Sequence, residues 1–184
     1  MKKISTLLIL LFCFANLLFS QNVVREVGLY TTDLNNFGFR FKTGTENLLF
    51  RFTVASLNLS NAEYKFNSQN TKDEDEFGIE LACGVEAPVP LTDRFDFIYG
   101  GEIAFQHENS DIINENSTSQ LKFTSYGAGM VLGFSYHLSS RVRFSAEIVP
   151  VINFVNIKQG DTKISGWKFE ANSQSAGLTL GYRF

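Results

Sequence analysis

Two residues of this sequence have the spacing of a nucleophile and its base, because His137 precedes Ser139 by two positions. A serine hydroxyl is a weak nucleophile unless a neighbouring base takes its proton and a third group orients that base. No obvious acid accompanies the pair, which falls at a short connection between two strand-like segments. We therefore predict an ordinary turn here and no catalytic residue.

Two other features have side chains that bind cations. Asp73-Glu74-Asp75-Glu76 is an acidic run, but it lacks the alternating ligands and the glycine of a calcium loop. His107 has no partner at a spacing typical of metal sites. We interpret the acidic run as a solvated loop, and we predict no metal and no cofactor.

The remaining candidates are charged residues that share one face of their segments, because they recur at alternate positions. They comprise six acidic and five basic residues: Glu26, Glu80, Glu86, Asp96, Glu102, Glu147, Arg40, Lys42, Arg51, Arg143 and Arg183. Charges held away from bulk water must be paired. If that face is an interior, the set predicts an ion-pair network. A gated ion path through the same residues is the alternative.

Eight segments alternate between apolar and small or polar residues with the period of a β-strand. They are residues 22–31, 37–43, 47–58, 76–87, 94–106, 121–137, 141–157 and 168–184. Glycine and charge share one face, and bulky apolar residues share the other. Small residues relieve crowding inside a narrow barrel, whereas a soluble barrel would bury its large apolar residues. The pattern therefore predicts an eight-stranded barrel whose apolar face contacts lipid.

The connections differ in length in a regular way. The third, fifth and seventh (59–75, 107–120 and 158–167) are long and polar, whereas the second, fourth and sixth are short. The first, 32–36, is also short and is a mild exception. Membrane barrels have short periplasmic turns and long outer loops, so the long connections should face outward. Aromatic residues near the strand ends predict two interfacial girdles. The periplasmic girdle comprises Phe41, Phe50, Phe95, Tyr136, Phe144 and Phe184, and the outer one comprises Phe77, Phe105, Phe154 and Trp167. Pro150 lies within the seventh segment, where we expect a bulge.

The first residues, MKKISTLLILLFCFANLLFS, have a basic start, an apolar run and a small final residue. This is the pattern of a secretory signal peptide, and the run is short for a transmembrane helix. We predict a cleaved signal at 1–20 and a single barrel domain at 21–184.

Removing Lys2 and Lys3 with the signal changes the formal net charge from −3 to −5. No basic patch stands out, which argues against nucleic acid as a partner. Cys83 alone remains, so no intrachain disulfide is expected.

These residues make the chain resemble the small, porin-like outer-membrane β-barrel proteins of the OmpA/OmpX type. The resemblance depends on the leader, the terminal AGLTLGYRF and the eight alternating segments. It implies an all-β, eight-stranded antiparallel up-and-down transmembrane barrel in the outer membrane of a Gram-negative bacterium. The ending is similar to the signal that the outer-membrane assembly machinery reads, which implies a role in biogenesis for Tyr182 and Phe184.

The resemblance implies a non-enzymatic role in membrane integrity or in surface contact through the outer loops. Outer-membrane lipid and lipopolysaccharide would be the surroundings, and any surface ligand is unidentified. Three alternatives remain open. One is a narrow pore for ions or small solutes, and another is a soluble periplasmic barrel. The third is a lipid A deacylase, since certain small barrels of that class carry a His-x-Ser pair; a periplasmic turn is the wrong end for that reaction.

Overall fold

The computed structural model describes residues 23–32, 37–57, 72–114, 117–160, 162–171 and 175–184. The predicted signal peptide, 1–20, lies outside the described residues. The described ranges contain ten β-strands: β1 (Val24–Thr31), β2 (Phe37–Thr45), β3 (Leu48–Leu57), β4 (Lys72–Thr92), β5 (Phe95–Asn114), β6 (Ser117–His137), β7 (Val142–Ile148), β8 (Val151–Gln159), β9 (Thr162–Glu170) and β10 (Ala176–Arg183). No helix in these ranges is long and apolar enough to cross a membrane.

The ten strands form one closed antiparallel sheet. Each strand from β1 to β6 pairs with the next along the chain, and β10 closes the sheet by pairing with both β1 and β7. Two pairs of strands are halves of single barrel strands: β7 continues into β8, and β9 into β10. The architecture is therefore the predicted eight-stranded up-and-down barrel, which the structure confirms.

The seventh barrel strand is interrupted at Pro150, between β7 and β8, where the sequence predicted a bulge. The seventh strand itself has no bulge at this point. The amide of Met130 on β6 donates to the carbonyl of Pro150 at 3.1 Å. The register with β6 runs unshifted across the gap, from Leu132↔Ile148 to Gly129↔Val151. Pro150 has no N–H, so it cannot donate a second hydrogen bond back to Met130, and the strand is interrupted there. The extra residues lie on the neighbouring strand, between Glu170 and Ala176.

Two of the predicted long loops, 107–120 and 158–167, are corrected, because most of their described residues are strand. β5 and β6 extend through 107–120 to within two residues of each other, and β8 and β9 cover most of 158–167. β4 begins at Lys72, inside the predicted loop 59–75, whose residues up to 71 lie outside the described ranges. The fifth and seventh connections are therefore hairpins that continue the wall of the barrel.

β4 also continues through the predicted turn Pro88–Asp93, as far as Thr92. Pro88 and Pro90 pair with β5, whereas pairing with β3 ends at Leu49↔Glu86. Proline is tolerated in a strand whose other side is open, because no ladder bond is lost there. The two prolines are therefore compatible with an extended strand at this end of the barrel.

Candidate functional site

The charged interior is the candidate site, and Arg51 of β3 lies at its centre with no exposed surface. Its Nη1 lies 2.7 Å from Glu147 Oε2 and 3.2 Å from Glu86 Oε2, and its Nε lies 3.1 Å from Glu102 Oε2. The three acids come from β7, β4 and β5, so one guanidinium on β3 ties four strands together.

Lys42 extends the same network toward the chain termini. Its ammonium lies 2.7 Å from Glu86 and 3.8 Å from Glu26. Lys42, Glu86 and Glu26 are each at most 4 % exposed. Because water is largely excluded, each charge depends on its partners for stabilisation.

Arg40 is the third buried cation, and it is held from several sides. It forms an ion pair with Glu147, and it donates to the hydroxyls of Thr53 and Thr179 at 3.0 Å each. Its guanidinium carbon lies 4.0 Å from the ring centre of Tyr30, a cation–π contact. Tyr30 and the two threonines were not among the predicted site residues, although their positions on the interior face were available in the sequence.

A second cluster lies at the end of the barrel that has the short turns. Asp96 Oδ2 lies 2.7 Å from His137 Nε2 and 3.3 Å from Arg143 Nη1. Arg183 lies 3.9 Å from Glu26 and 2.8 Å from Glu46, a turn residue that the sequence did not single out.

Glu80 lies apart from these clusters, nearer the outer end, where it accepts a hydrogen bond from Gln106 at 3.2 Å. The amide of Asn153 donates to Glu170, which also pairs with Lys168. All eleven predicted interior charges are thus placed. Eight of them (Glu26, Arg40, Lys42, Arg51, Glu86, Glu102, Glu147 and Arg183) form one connected network.

One prediction about the pair His137 and Ser139 is wrong. We expected no acid near His137, but β5 and β6 pair in a register that brings Asp96 to its ring. An acid 41 positions away is invisible to local spacing. The Ser139 hydroxyl oxygen accepts from the amides of Arg141 and Val142 at 3.2 and 3.0 Å, so it shapes the turn between β6 and β7. The predicted turn is present.

Interior glycines make room for this network. A Cβ on Gly181 would lie 2.6 Å from Glu26 Oε1, and one on Gly127 would lie 1.9 Å from Asn153 Oδ1. Both distances are too short for real atoms, so a larger residue would displace the polar side chain. The small residues on this face therefore allow long charged side chains to fill the barrel.

The outward face is apolar between two aromatic rows. Phe105, Tyr126, Phe154 and Trp167 are directly opposed across β5, β6, β8 and β9. At the other end, Phe95, Tyr136 and Phe144 are opposed across β5, β6 and β7. Exposed apolar side chains fill the band between them, including Leu29, Phe39, Phe52, Val54, Ile103, Met130, Phe134, Ile148, Ile152, Leu178 and Leu180.

The spacing of the two rows matches a membrane. From Phe95 to Phe105, β5 rises about 33 Å at the usual rise of a strand, which is about 25 Å after a tilt near 40°. That equals the apolar band of outer-membrane barrels. The predicted girdle residue Phe77 has a side chain outside the described set, and Tyr126 takes a place in the outer row that was not predicted.

Beyond the outer row, the polarity of the two faces is reversed. Outward positions become polar, with Thr124, Asn156 and Ser165 in one directly opposed row. Inward positions become apolar, namely Leu121, Phe123, Val155, Ile157 and Ile164. A change of the outward face from apolar to polar is the pattern expected where a barrel wall passes from hydrocarbon to hydrated headgroups. Three strands, β6, β8 and β9, show this reversal at the same level.

The two predicted assembly residues lie at the seam where β10 meets β1. The side chains of Tyr182 and Phe184 are 44 % and 62 % exposed on the outward face. The Phe184 amide donates to the Arg25 carbonyl at 2.9 Å, and Arg141 donates to the Tyr182 hydroxyl at 3.1 Å. The terminal aromatic is therefore tied to the first strand while its ring remains on the lipid side.

Comparisons with known proteins found matches among solved structures, whereas no family model and no curated protein matches. The N-terminal β-barrel domain of Pseudomonas aeruginosa OprF is 15% identical, with 89% of this chain and 98% of that chain covered and a TM-score of 0.45. Neisserial surface protein A is 19% identical, with 88% and 94% covered and a TM-score of 0.42.

A major outer membrane protein from Thermus thermophilus is 14% identical, with 88% and 98% covered and a TM-score of 0.47. At these low identities and scores, the barrel fold of this chain rests on its own strand pairing.

Proposed function

We propose that the mature chain is a non-enzymatic, integral β-barrel protein of the bacterial outer membrane. Its role is structural, or is surface contact through the hairpins that extend beyond the membrane. The observation that carries the proposal is the reversed polarity of the wall: paired charges inside and an apolar band outside, between two aromatic rows. In water this arrangement would expose the apolar band and bury the charges, both of which oppose folding.

The outer hairpins are the parts that can meet a partner. β5–β6 and β8–β9 continue past the outer aromatic row, and β9 pairs with β8 alone within the described ranges. Every described side chain of β9 from Thr162 to Phe169 is exposed. Rigid scaffolds commonly present variable contact surfaces in this way.

Cell fractionation with a heated and an unheated gel sample tests the location. We expect the chain in the outer-membrane fraction, and we expect the unheated band to migrate differently because a closed barrel resists detergent. Recovery in the soluble periplasmic fraction would overturn the proposal and favour the soluble alternative.

A narrow pore is the second candidate, and the charged interior favours it. Charged side chains run from Glu80 near the outer end to Arg183 near the periplasmic end. The network around Arg51 crosses this path, however, and joins β3 to β4, β5 and β7. An eight-stranded interior is only wide enough for its own side chains, so we favour a plug.

Planar-bilayer recordings distinguish the two roles. The plug predicts no stable conductance from the purified chain, and none from Glu147→Gln. Stable conductance that changes when Glu147 or Arg143 is neutralised would establish the pore instead.

A further inference from the structure

Three lysines form a row on the outward face beyond the outer aromatic row. Lys122 of β6 lies directly opposite Lys158 of β8, and Lys158 lies opposite Lys163 of β9. All three side chains are exposed. Like charges at opposed positions weaken a sheet. In the part of the chain that the structure describes, none of the three is ion-paired with a carboxylate. The row therefore favours an anion beside it.

The depth of the lysine row in the proposed membrane indicates which anion is available to it. Lys122 is separated from Tyr126 on β6, and Lys163 from Trp167 on β9, by about 13 Å along the strand. Tyrosine and tryptophan mark the boundary between lipid and water. The lysines are therefore at the level of lipid headgroups, where phosphate is the abundant anion.

Below the row, on the membrane side, the outward wall has an apolar groove of about 920 Å³. Cys83 and Ala128, two short side chains in the row of residues next to the aromatic row, are among the residues that line it. The rings of Phe52, Tyr126 and Trp167 also line the groove. A groove of this chemistry at this depth accommodates acyl chains.

We propose that the groove and the lysine row together bind one phosphorylated glycolipid of the outer leaflet, with its acyl chains in the groove and its phosphates at Lys122, Lys158 and Lys163. The inference rests on the proposed membrane location. The row spans three neighbouring strands, about 10 Å at the usual strand spacing. That width suits a headgroup with two separated phosphates better than the single phosphate of a phospholipid.

The test uses Trp167, the single tryptophan of the chain, which lines the groove. Its fluorescence is measured in phosphatidylcholine vesicles, each containing one brominated lipid, and every lipid is titrated over the same range of mole fractions. The lipids are bis-phosphorylated lipid A, the same lipid A without phosphates, and phosphatidylglycerol, each brominated on its acyl chains. We expect the bis-phosphorylated lipid A to quench Trp167 at the lowest mole fraction.

Two variants separate the parts of the site. In Lys122→Gln/Lys158→Gln/Lys163→Gln, we expect the apparent affinity for bis-phosphorylated lipid A to fall by about tenfold or more, because three lysine–phosphate attractions are lost. Ala128→Leu, which fills the groove, should weaken quenching by this lipid while the lysines are intact. Heat-modifiable migration checks that each variant folds.

The matched control removes three arginines from the periplasmic end, Arg25→Gln/Arg94→Gln/Arg141→Gln, and so changes the net charge equally. This control variant should bind bis-phosphorylated lipid A with the same apparent affinity as the unsubstituted chain. Equal quenching by all three lipids, unchanged in the lysine variant, would overturn the lipid site while leaving the membrane location intact. Equal affinity for phosphatidylglycerol would overturn the choice of a glycolipid. Absence of quenching by any brominated lipid would overturn the membrane location itself.

Discussion

Arg51 shows how single residues hold the barrel together. Its guanidinium is fully buried, and carboxylates from three strands surround it. A buried ion pair contributes little compared with apolar packing, but breaking one leaves an uncompensated charge. We therefore expect the network to act mainly on which strands meet and in which register.

Truncation at this position tests that role. Arg51→Ala leaves Glu86, Glu102 and Glu147 facing one another, and we expect the free energy of unfolding to fall by about 3–5 kcal/mol. Urea unfolding in vesicles, followed by Trp167 fluorescence, measures it. Arg25→Ala, at an exposed position, is the control and should change stability by less than about 0.5 kcal/mol. Equal effects of the two substitutions would contradict the structural role.

The sequence predicted which residues face inward but not which of them meet. Alternation alone assigned Arg40, Arg51 and Glu147 to one face, and all three are buried there. The contact between His137 and Asp96 depends on the register of β5 against β6, which no local pattern encodes. Tyr30 lies beneath the Arg40 guanidinium. It was missed because the inward face was recognised by its small and charged residues, and a large aromatic residue departs from that pattern.

At the scale of the strands, the glycines of the inward face decide how closely neighbours approach. A Cβ on Gly133 of β6 would lie 2.5 Å from the Ala146 carbonyl oxygen and 2.8 Å from the Glu147 Cα of β7. Both are backbone atoms that cannot rotate away. Gly166 of β9 has nothing within 4 Å of the same position.

These two glycines form a matched pair for experiment. Gly133→Ala should lower the free energy of unfolding by about 1–3 kcal/mol, the usual cost of overpacking. Gly166→Ala should leave it unchanged or raise it slightly, because alanine restricts the unfolded chain more than glycine does. Urea titration of both variants in vesicles measures the difference. Similar loss of stability in both would argue against close packing at Gly133.

The lengths of the outer strands were the least predictable feature of the elements. Within the membrane, apolar residues recur at alternate positions and reveal each strand. Beyond the outer aromatic row, outward positions such as Thr124 and Asn156 are polar, so the signal disappears although the pairing continues. Loop-like composition at 107–120 therefore concealed a hairpin.

At the scale of the whole molecule, the barrel topology was predictable because closure leaves few choices. Eight alternating segments with an apolar outer face must pair all round, since lipid offers no partner to an open edge. The division of two barrel strands into β7–β8 and β9–β10 was not predictable in full. Pro150 indicated the first break, whereas nothing in the sequence near Ala171 indicated the extra residues opposite it.

The long outer hairpins also constrain how the molecule enters its membrane. Their tips carry lysines and polar residues, whereas the connections at the other end are short turns such as Asp93–Arg94. Each tip must traverse the hydrocarbon before it reaches water, and charged groups make that passage slow. The short turns never need to cross. From the proposed membrane location we therefore expect vectorial insertion, with the hairpin tips leading and the pairing of β1 with β10 completing the ring.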